Sequence, residues 1–161
     1  MAIVLRAGIR PEDRDAVRRL VASSGFFSAS EEEIAVELVD DALAKGERAS
    51  GYHFIFAEEA GRPLGYVCFG PIAGTVASHD LYWIVVDNAR RSGGVGRRLE
   101  AACAEAVRRL AGKRIYVDTS SRSQYEPTRA FYRACGYGEA ARLDEFYGPG
   151  DGKVIFVKPL D

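Results

Sequence analysis

The residues best suited to chemistry lie in a short turn between an apolar strand and a helix. Residues 81–86 (LYWIVV) are strand formers without charge, and we expect this strand to be buried on both faces. After Asp87 the chain becomes rich in cations and glycines. The residues concerned are Arg90, Arg91, Gly93, Gly94, Gly96, Arg97 and Arg98. Because glycine has no Cβ, such a turn lets an incoming group approach the backbone closely.

The helix that follows this turn favours anion binding. Apolar residues recur at helical spacing from Val95 to Leu110, which predicts an amphipathic helix. The first N–H groups of a helix have no partner within it, and the helix dipole favours negative charge there. The pattern therefore indicates a phosphate or diphosphate site. The glycines and arginines alone fit a solvated strand-to-helix turn equally well.

Two common phosphate-binding loops do not fit this turn. No Gly-Lys-Ser/Thr is present, which excludes a P-loop, and residues 97–99 (RRL) lack the third glycine of a dinucleotide fingerprint. What remains is Arg-x-x-Gly-x-Gly at 91–96, preceded by Val-Val-Asp at 85–87. This stretch resembles the acyl-CoA-binding motif of the GNAT N-acetyltransferase superfamily. Residues 130–137 (AFYRACGY) resemble the aromatic-Tyr-x-x-x-Gly-aromatic helix end of the same family.

The resemblance implies an α/β fold with a single N-acetyltransferase domain over residues 1–161. The implied architecture is a central mixed, mostly antiparallel sheet of about seven strands, flanked by about four helices, with a parallel strand pair forming the CoA cleft. The residues themselves support the parallel pair, because strand 81–86, helix 95–110 and strand 114–119 form a crossover unit.

Further upstream, residues 30–33 (SEEE) predict a capping box at the start of a helix.

The same resemblance implies acetyl-CoA as cosubstrate. The backbone of Val85 and Val86 is expected to pair with the pantetheine arm as a strand would. Tyr132 is expected to hydrogen-bond the sulfur of CoA, a modest effect because a thiol of pKa about 8.5 is already a good leaving group. The expected ligands of the diphosphate are Arg91, Ser92, Gly93, Gly94, Val95, Gly96 and Arg97.

The acceptor amine needs a base, because an alkyl amine of pKa about 10.4 is almost fully protonated at neutral pH. Asp80 is the first candidate, since it lies eleven residues before Arg91, where histone-type GNAT enzymes carry a catalytic glutamate. An aspartate of pKa about 3.9 is a weak base unless burial raises that value, so a solvated residue at the strand start is the alternative. Glu145 and a water relay are further candidates for the base.

The predicted reaction is acetyl transfer to a primary amine of a small molecule or peptide, by direct attack in a ternary complex. Cys103 and Cys135 lie in apolar helical stretches and are expected to be buried, so a covalent acyl-enzyme is not expected. The predicted contacts to the unidentified acceptor are Phe27, Tyr125 and Glu145.

Three departures from the family pattern motivate a second function. Asn88 stands where the family often has proline, Ser92 where it has glycine and Tyr125 where it has asparagine. The alternative is a non-catalytic acyl-CoA-binding or protein-interaction module on the same fold. A nucleotide-binding protein that uses the same turn is a third interpretation.

Length and composition narrow the classes of protein to which this chain could belong. A chain of 161 residues has the size of one domain, and a net charge of −1 argues against a nucleic-acid binder with a broad basic face. No apolar run approaches the ~20 residues of a membrane span. Three cysteines without CxxC spacing favour free thiols in a reducing, cytoplasmic compartment. His53 and His79 share no metal-ligand spacing, so no metal is expected, and the sequence leaves a homodimer open.

Overall fold

The computed structural model describes residues 2–161, which contain seven β-strands and five α-helices. The strands are β1 (Ile3–Ala7), β2 (His53–Glu59), β3 (Arg62–Pro71), β4 (Ser78–Val86), β5 (Arg114–Ser120), β6 (Gly138–Gly148) and β7 (Asp151–Pro159). The α-helices are α1 (Asp13–Ser23), α2 (Ala29–Lys45), α3 (Glu47–Ser50), α4 (Val95–Arg109) and α5 (Glu126–Ala134). A 3₁₀ segment, Asn88–Gly93, joins β4 to α4, and a second, Ser123–Tyr125, precedes α5.

The strands form one mixed sheet in the order β1-β2-β3-β4-β5-β7-β6. β4 and β5 are parallel, with Ser78–Asp80 paired to Arg114–Tyr116. The pairs β1–β2, β2–β3, β5–β7 and β6–β7 are antiparallel. The predicted fold class, a mostly antiparallel sheet with one parallel pair, is therefore confirmed.

The chain divides into two compact units. The first unit holds the residues up to Gly70 together with Trp83–Cys103, and the second holds Pro71–Tyr82 together with Ala104–Asp161. The core of the first unit packs side chains of α1 and α2 against aromatic rings of β2 and β3. Its largest fully buried members are Val17, Leu20, Val39, Phe54, Phe56 and Tyr66. Each such side chain contributes about 1.5–3 kcal/mol of burial, which fixes the helices against the strands.

The second unit has a core of its own, built from β5, β7 and α5. Ile115, Val154 and Phe156 are fully buried in it. Tyr132 of α5 packs at a tilted angle on Phe156, with the ring centroids 6.0 Å apart. The aromatic helix end singled out in the sequence therefore belongs to the packed interior of this unit.

Two local predictions are wrong. β4 is not buried on both faces: His79, Leu81 and Val85 are buried, whereas Tyr82 keeps 37% of its surface exposed. Alternate residues of a strand face opposite ways, and the face that carries Tyr82, Ile84 and Val86 is only partly covered although these three residues are apolar. The capping box of α2 uses Ser28 and Glu31 rather than residues 30–33, because two Ser-x-x-Glu frames overlap there.

Candidate active site

The turn between β4 and α4 is held at its start by Asp87. The amide of Asp87 donates to the Leu64 carbonyl oxygen at 2.7 Å, which ties the end of β4 to β3. Its carboxylate Oδ1 accepts a hydrogen bond from the Ala89 amide at 3.0 Å and so caps the 3₁₀ segment. The segment ends at Gly94, whose φ of 77° lies in the left-handed region that glycine tolerates best.

The backbone amides at the start of α4 follow the 3₁₀ segment. The Arg98 amide makes the first intrahelical hydrogen bond, to the Gly94 carbonyl oxygen at 3.2 Å. Within residues 2–161 no acceptor is recorded for the amides of Val95, Gly96 and Arg97. Val95 and Leu99 are fully buried and anchor the helix. The 15-residue helix α4 therefore presents a row of donors at a fixed position, the geometry that binds phosphate groups.

The four arginines of the turn divide into two roles. Arg90 binds both carboxylate oxygens of Glu59 at 2.8 and 3.3 Å, and this lowers the pKa of Glu59. Arg98 donates to the Ile3 carbonyl oxygen at 3.1 Å. Arg91 is exposed, with its guanidinium 5.1 Å from the centre of the Phe26 ring, and Arg97 is exposed without a recorded partner in residues 2–161. Arg90 and Arg98 hold the turn, which leaves Arg91 and Arg97 for an anion.

Gly65 of β3 lets three elements of the first unit meet closely. A Cβ at this position would lie 2.8 Å from the Val85 carbonyl oxygen and 3.2 Å from Cδ1 of Leu99. Real Cβ atoms do not approach a backbone oxygen that closely, so any larger residue would displace the end of β4. The absence of a side chain at Gly65 thus sets where the turn begins.

A carboxylate with altered acidity lies in the second unit. Asp80 ends the parallel pairing opposite Tyr116 and is half-buried. The pKa of Asp80 is raised to about 6, chiefly by burial and also by the nearby Asp118 carboxylate, while Lys153 acts to lower it. Lys153 Nζ lies 3.1 Å from Asp118 Oδ2 and 4.4 Å from the centre of the Phe146 ring. An acid of this pKa is mostly ionised at neutral pH and is a better base than an ordinary aspartate.

Tyr132 is enclosed by other aromatic rings of the second unit. Its residue surface is 4% exposed, and its ring meets those of Phe131 and Tyr137 edge to face, with centroids 5.5 Å apart in each case. The packing fixes the position of the ring, as both a core role and a hydrogen-bonding role require.

The loop before α5 is fastened by a buried arginine. Arg129 Nη1 donates to the Ser120 carbonyl oxygen at 2.6 Å and to the Arg122 carbonyl oxygen at 3.0 Å. The Ser120 hydroxyl in turn donates to the Asp151 carboxylate. Tyr125 lies in this loop and is half-buried. Sequence reasoning missed Arg129 and Asp151. The signal for Arg129 was a charged residue within the amphipathic helix α5, whereas Asp151 at the start of β7 gave no signal.

Comparison with known proteins decides the family. The model of the acetyltransferase (GNAT) family matches residues 15–137, about three quarters of the chain. The chain belongs to the GNAT acetyltransferase family. A GNAT-family protein of known structure from Desulfovibrio desulfuricans is 42% identical, with a TM-score of 0.96, over 98% of this chain and 99% of that one. A comparison with curated proteins found no match.

Two N-acetyltransferase structures with bound coenzyme A share the fold. An aminoglycoside 6'-N-acetyltransferase is 19% identical, with a TM-score of 0.76, over 99% of this chain and 97% of that one. The PaiA N-acetyltransferase of Thermoplasma acidophilum is 14% identical, with a TM-score of 0.74, over 99% and 100% of the two chains. At these identities the likeness establishes the fold, while membership of the GNAT family confirms the predicted enzyme class, N-acetyltransferase.

The remaining residues named in the sequence analysis differ in their burial and in their contacts. Phe27 packs edge to face on Trp83 at 4.9 Å and borders the core of the first unit. Glu145 is exposed on β6 with a φ of 59°, and its Oε1 accepts a hydrogen bond from the Gly150 amide at 3.4 Å. Cys103 is buried as expected, but Cys135 is only half-buried because it follows the end of α5. The predicted site roles of these residues stay predictions.

Residues 2–161 contain neither a cluster of metal-binding side chains nor a helix suited to crossing a membrane. They contain no group of three or more His, Cys, Asp and Glu side chains placed to hold a metal ion. In the same residues no helix combines the length and hydropathy that crossing a bilayer requires.

Proposed function

We propose that this protein transfers an acetyl group from acetyl-CoA to a primary amine of a small molecule or peptide, by direct attack in a ternary complex. The observation that carries the proposal is the row of amides at Val95, Gly96 and Arg97 that have no recorded acceptor in residues 2–161. These donors, at the positive end of a 15-residue helix, match the needs of a diphosphate.

The turn supplies the rest of the proposed diphosphate site. Arg91 and Arg97 are exposed and add two positive charges beside the amides. Ser92, Gly93 and Gly94 are exposed as well and place no bulky side chain in front of them. In this proposal the backbone of Val85 and Val86 pairs with the pantetheine arm, which directs the thioester away from the diphosphate.

Asp80 is the proposed general base. The acceptor nitrogen attacks the thioester carbonyl carbon and forms the N–C bond while Asp80 takes up the proton that the amine loses. The C–S bond then breaks, and the CoA thiolate leaves with the electron pair. The raised pKa of Asp80, about 6, lies closer to that of an amine than an ordinary aspartate pKa does, which favours this transfer.

Tyr132 is proposed to donate a hydrogen bond to the departing sulfur. Phe27, Tyr125 and Glu145 are proposed to contact the acceptor. No disulfide joins the cysteines of residues 2–161, which supports the proposed cytoplasmic location. We further propose that residues 1–161 work as one N-acetyltransferase domain with no metal requirement.

Calorimetric titration with CoA, followed by thiol-release assays with acetyl-CoA and a panel of amino acids, polyamines, aminoglycosides and peptides, tests the proposal. We expect saturable CoA binding and thiol release with at least one amine. The double variant Arg91→Ala/Arg97→Ala should lose most CoA binding. Arg109→Ala removes a charge from the exposed far end of the same helix and should bind CoA normally. A wild-type protein that binds no CoA would refute the proposal.

The alternative is an acyl-CoA-binding or protein-interaction module without turnover. It is favoured by Tyr125, which stands where the family usually has asparagine. This alternative predicts CoA binding of normal strength together with no thiol release from any amine in the panel.

A further inference from the structure

We propose that Arg19 of α1 is a positioning residue for acetyl-CoA binding, acting through Asp87 on the 3₁₀ segment Asn88–Gly93. The inference rests on the proposed function, because it assigns a task toward the diphosphate site proposed above. Arg19 does not belong to the motif at 91–96 and lies more than seventy positions before it in the chain.

One carboxylate joins α1 to the cap of the 3₁₀ segment. Arg19 Nη1 donates to Asp87 Oδ2 at 3.2 Å, while Asp87 Oδ1 accepts from the Ala89 amide at 3.0 Å. The second terminal nitrogen of Arg19, Nη2, donates to the Pro63 carbonyl oxygen at 2.8 Å. Arg19 therefore holds the Asp87 side chain in the orientation that caps the segment. Through its second hydrogen bond, Arg19 also connects this side chain to the start of β3.

The 3₁₀ segment needs such anchors. Its six residues are too few to be stable alone, since 3₁₀ hydrogen bonds have poor geometry and short helices are marginal in water. The anchors that the first unit provides are the Arg19–Asp87 pair at the start of the segment and the Arg90–Glu59 pair within it. Arg91 lies within the segment and the first amides of α4 follow it, so their positions depend on these anchors.

The physical consequence is preorganisation of the diphosphate site. A turn that is already in the binding geometry loses little conformational entropy when a ligand arrives, whereas a loosened turn loses more and binds more weakly. The loss should appear as a weaker affinity for ligands that carry the diphosphate. Ligands without a diphosphate should bind as before.

Two other arginines of α1 provide matched controls. Arg14 pairs with Asp40 at 2.8 Å, and Arg18 pairs with Glu33 at 2.7 Å. Both partners lie on α2, far in sequence from the 3₁₀ segment. Arg14→Met therefore removes the same charge and a similar ion pair from the same helix without touching the turn.

A substitution of Asp87 distinguishes an effect of positioning on CoA binding from an effect of local charge. Removing Arg19 lowers the local positive charge, so weaker CoA binding by Arg19→Met has two explanations. Removing Asp87 takes away a negative charge, which by electrostatics alone would strengthen binding of an anion. If the carboxylate acts as a cap and anchor, Asp87→Ala must instead weaken binding.

The experiment measures the dissociation constant of CoA by calorimetry for the wild type, Arg19→Met, Asp87→Ala, the double variant and Arg14→Met. We expect about fivefold weaker binding for Arg19→Met and for Asp87→Ala, which corresponds to one ion pair of about 1 kcal/mol. The double variant should be no weaker than Asp87→Ala alone, because both residues act through one contact. Arg14→Met should bind CoA like the wild type.

Unchanged CoA binding by both Arg19→Met and Asp87→Ala would overturn the inference, as would tighter binding by Asp87→Ala or an equal loss in Arg14→Met. Each of these results leaves CoA binding by the wild type, and with it the proposed function, intact. Should Arg19→Met fail to fold, Arg19→Lys keeps the charge but not both hydrogen bonds and decides the question by the same titration. Absence of CoA binding by the wild type would refute the proposed function and this inference together.

Discussion

Lys153 Nζ lies 3.1 Å from Asp118 Oδ2, and the two charges act in opposite directions on Asp80. The Asp118 carboxylate raises the pKa of Asp80, and Lys153 lowers it. Burial has the largest effect of the three, and together they bring the pKa of Asp80 to about 6. The acidity of the proposed base is therefore set by two neighbours that mutation can remove one at a time.

The pH dependence of catalysis should report Asp80. We expect kcat/KM to fall as the pH is lowered through about 6, because protonation of Asp80 removes the base. Asp80→Asn should reduce kcat about 10²–10⁴-fold and should remove this acidic limb. Its affinity for CoA, measured by calorimetry, should stay unchanged. An Asp80→Asn variant that keeps the acidic limb would exclude Asp80 as the base and direct attention to Glu145 or a water relay.

Substitution of Lys153 should move the acidic limb to higher pH. Lys153→Met removes a charge that favours ionised Asp80 and leaves the Asp118 carboxylate without its partner, so both effects raise the pKa of Asp80. Asp118→Asn should move the limb to lower pH. Lys158→Met is the matched control on the same strand, since Lys158 lies over the Tyr137 ring at 5.6 Å. Shifts in the same direction for Lys153→Met and Asp118→Asn would contradict this account.

The proposed base should lower the stability of the folded protein at neutral pH. The pKa of Asp80 is higher in the folded chain, about 6, than the reference value of 3.8, so the folded state binds more protons between these values. The contribution of Asp80 to the free energy of unfolding thus decreases as the pH rises from about 4 through about 6. Asp80→Asn should be more stable than the wild type at pH 7, and this difference should shrink toward pH 4. Chemical denaturation at several pH values measures it, and a constant difference would argue against a raised pKa.

A methyl group at Gly65 should disturb the start of the turn. Gly65→Ala would place Cβ 2.8 Å from the Val85 carbonyl oxygen, so the end of β4 must shift. Overpacking of this kind typically costs about 1–3 kcal/mol in the free energy of unfolding, and we expect CoA binding to weaken as well. Gly138→Ala is the control, because no atom lies within 4 Å of its added Cβ. Equal stability of the two variants by urea denaturation would contradict the close approach.

The parallel strand pair and the helix after the turn could be predicted from local periodicity, whereas the mostly antiparallel sheet of about seven strands was implied by the resemblance of two motifs to the GNAT family. The expected diphosphate ligands included Arg91 and Arg97 and not Arg90 or Arg98, but the sequence did not show what Arg90 and Arg98 contact instead. Glu59, the partner of Arg90, lies 31 residues earlier in the chain, and only strand pairing brings it near. Lys153 and Asp118 likewise meet only because β5 and β7 are neighbours in the sheet.

The sequence also did not predict that one face of β4 would be partly exposed. A run of apolar residues indicates which residues tolerate burial, but it does not indicate whether other elements cover both faces of the strand. Tyr82 is an apolar strand residue that remains exposed. The choice between residues 28 and 30 as the cap of α2 was similarly open, because both frames satisfy the same motif and the packing of α2 decides between them.

Backbone amide NMR is the most direct test of the central claim that the first amides of α4 hold the diphosphate. The spectra of ¹⁵N-labelled protein would be recorded during titration with CoA and, separately, with acetyl-pantetheine, which lacks the diphosphate. We predict that the largest CoA-induced shifts occur at Gly94, Val95, Gly96 and Arg97, that they saturate with the calorimetric affinity, and that acetyl-pantetheine leaves these four signals in place. Saturating CoA that shifts other amides while these four stay unchanged would contradict the account.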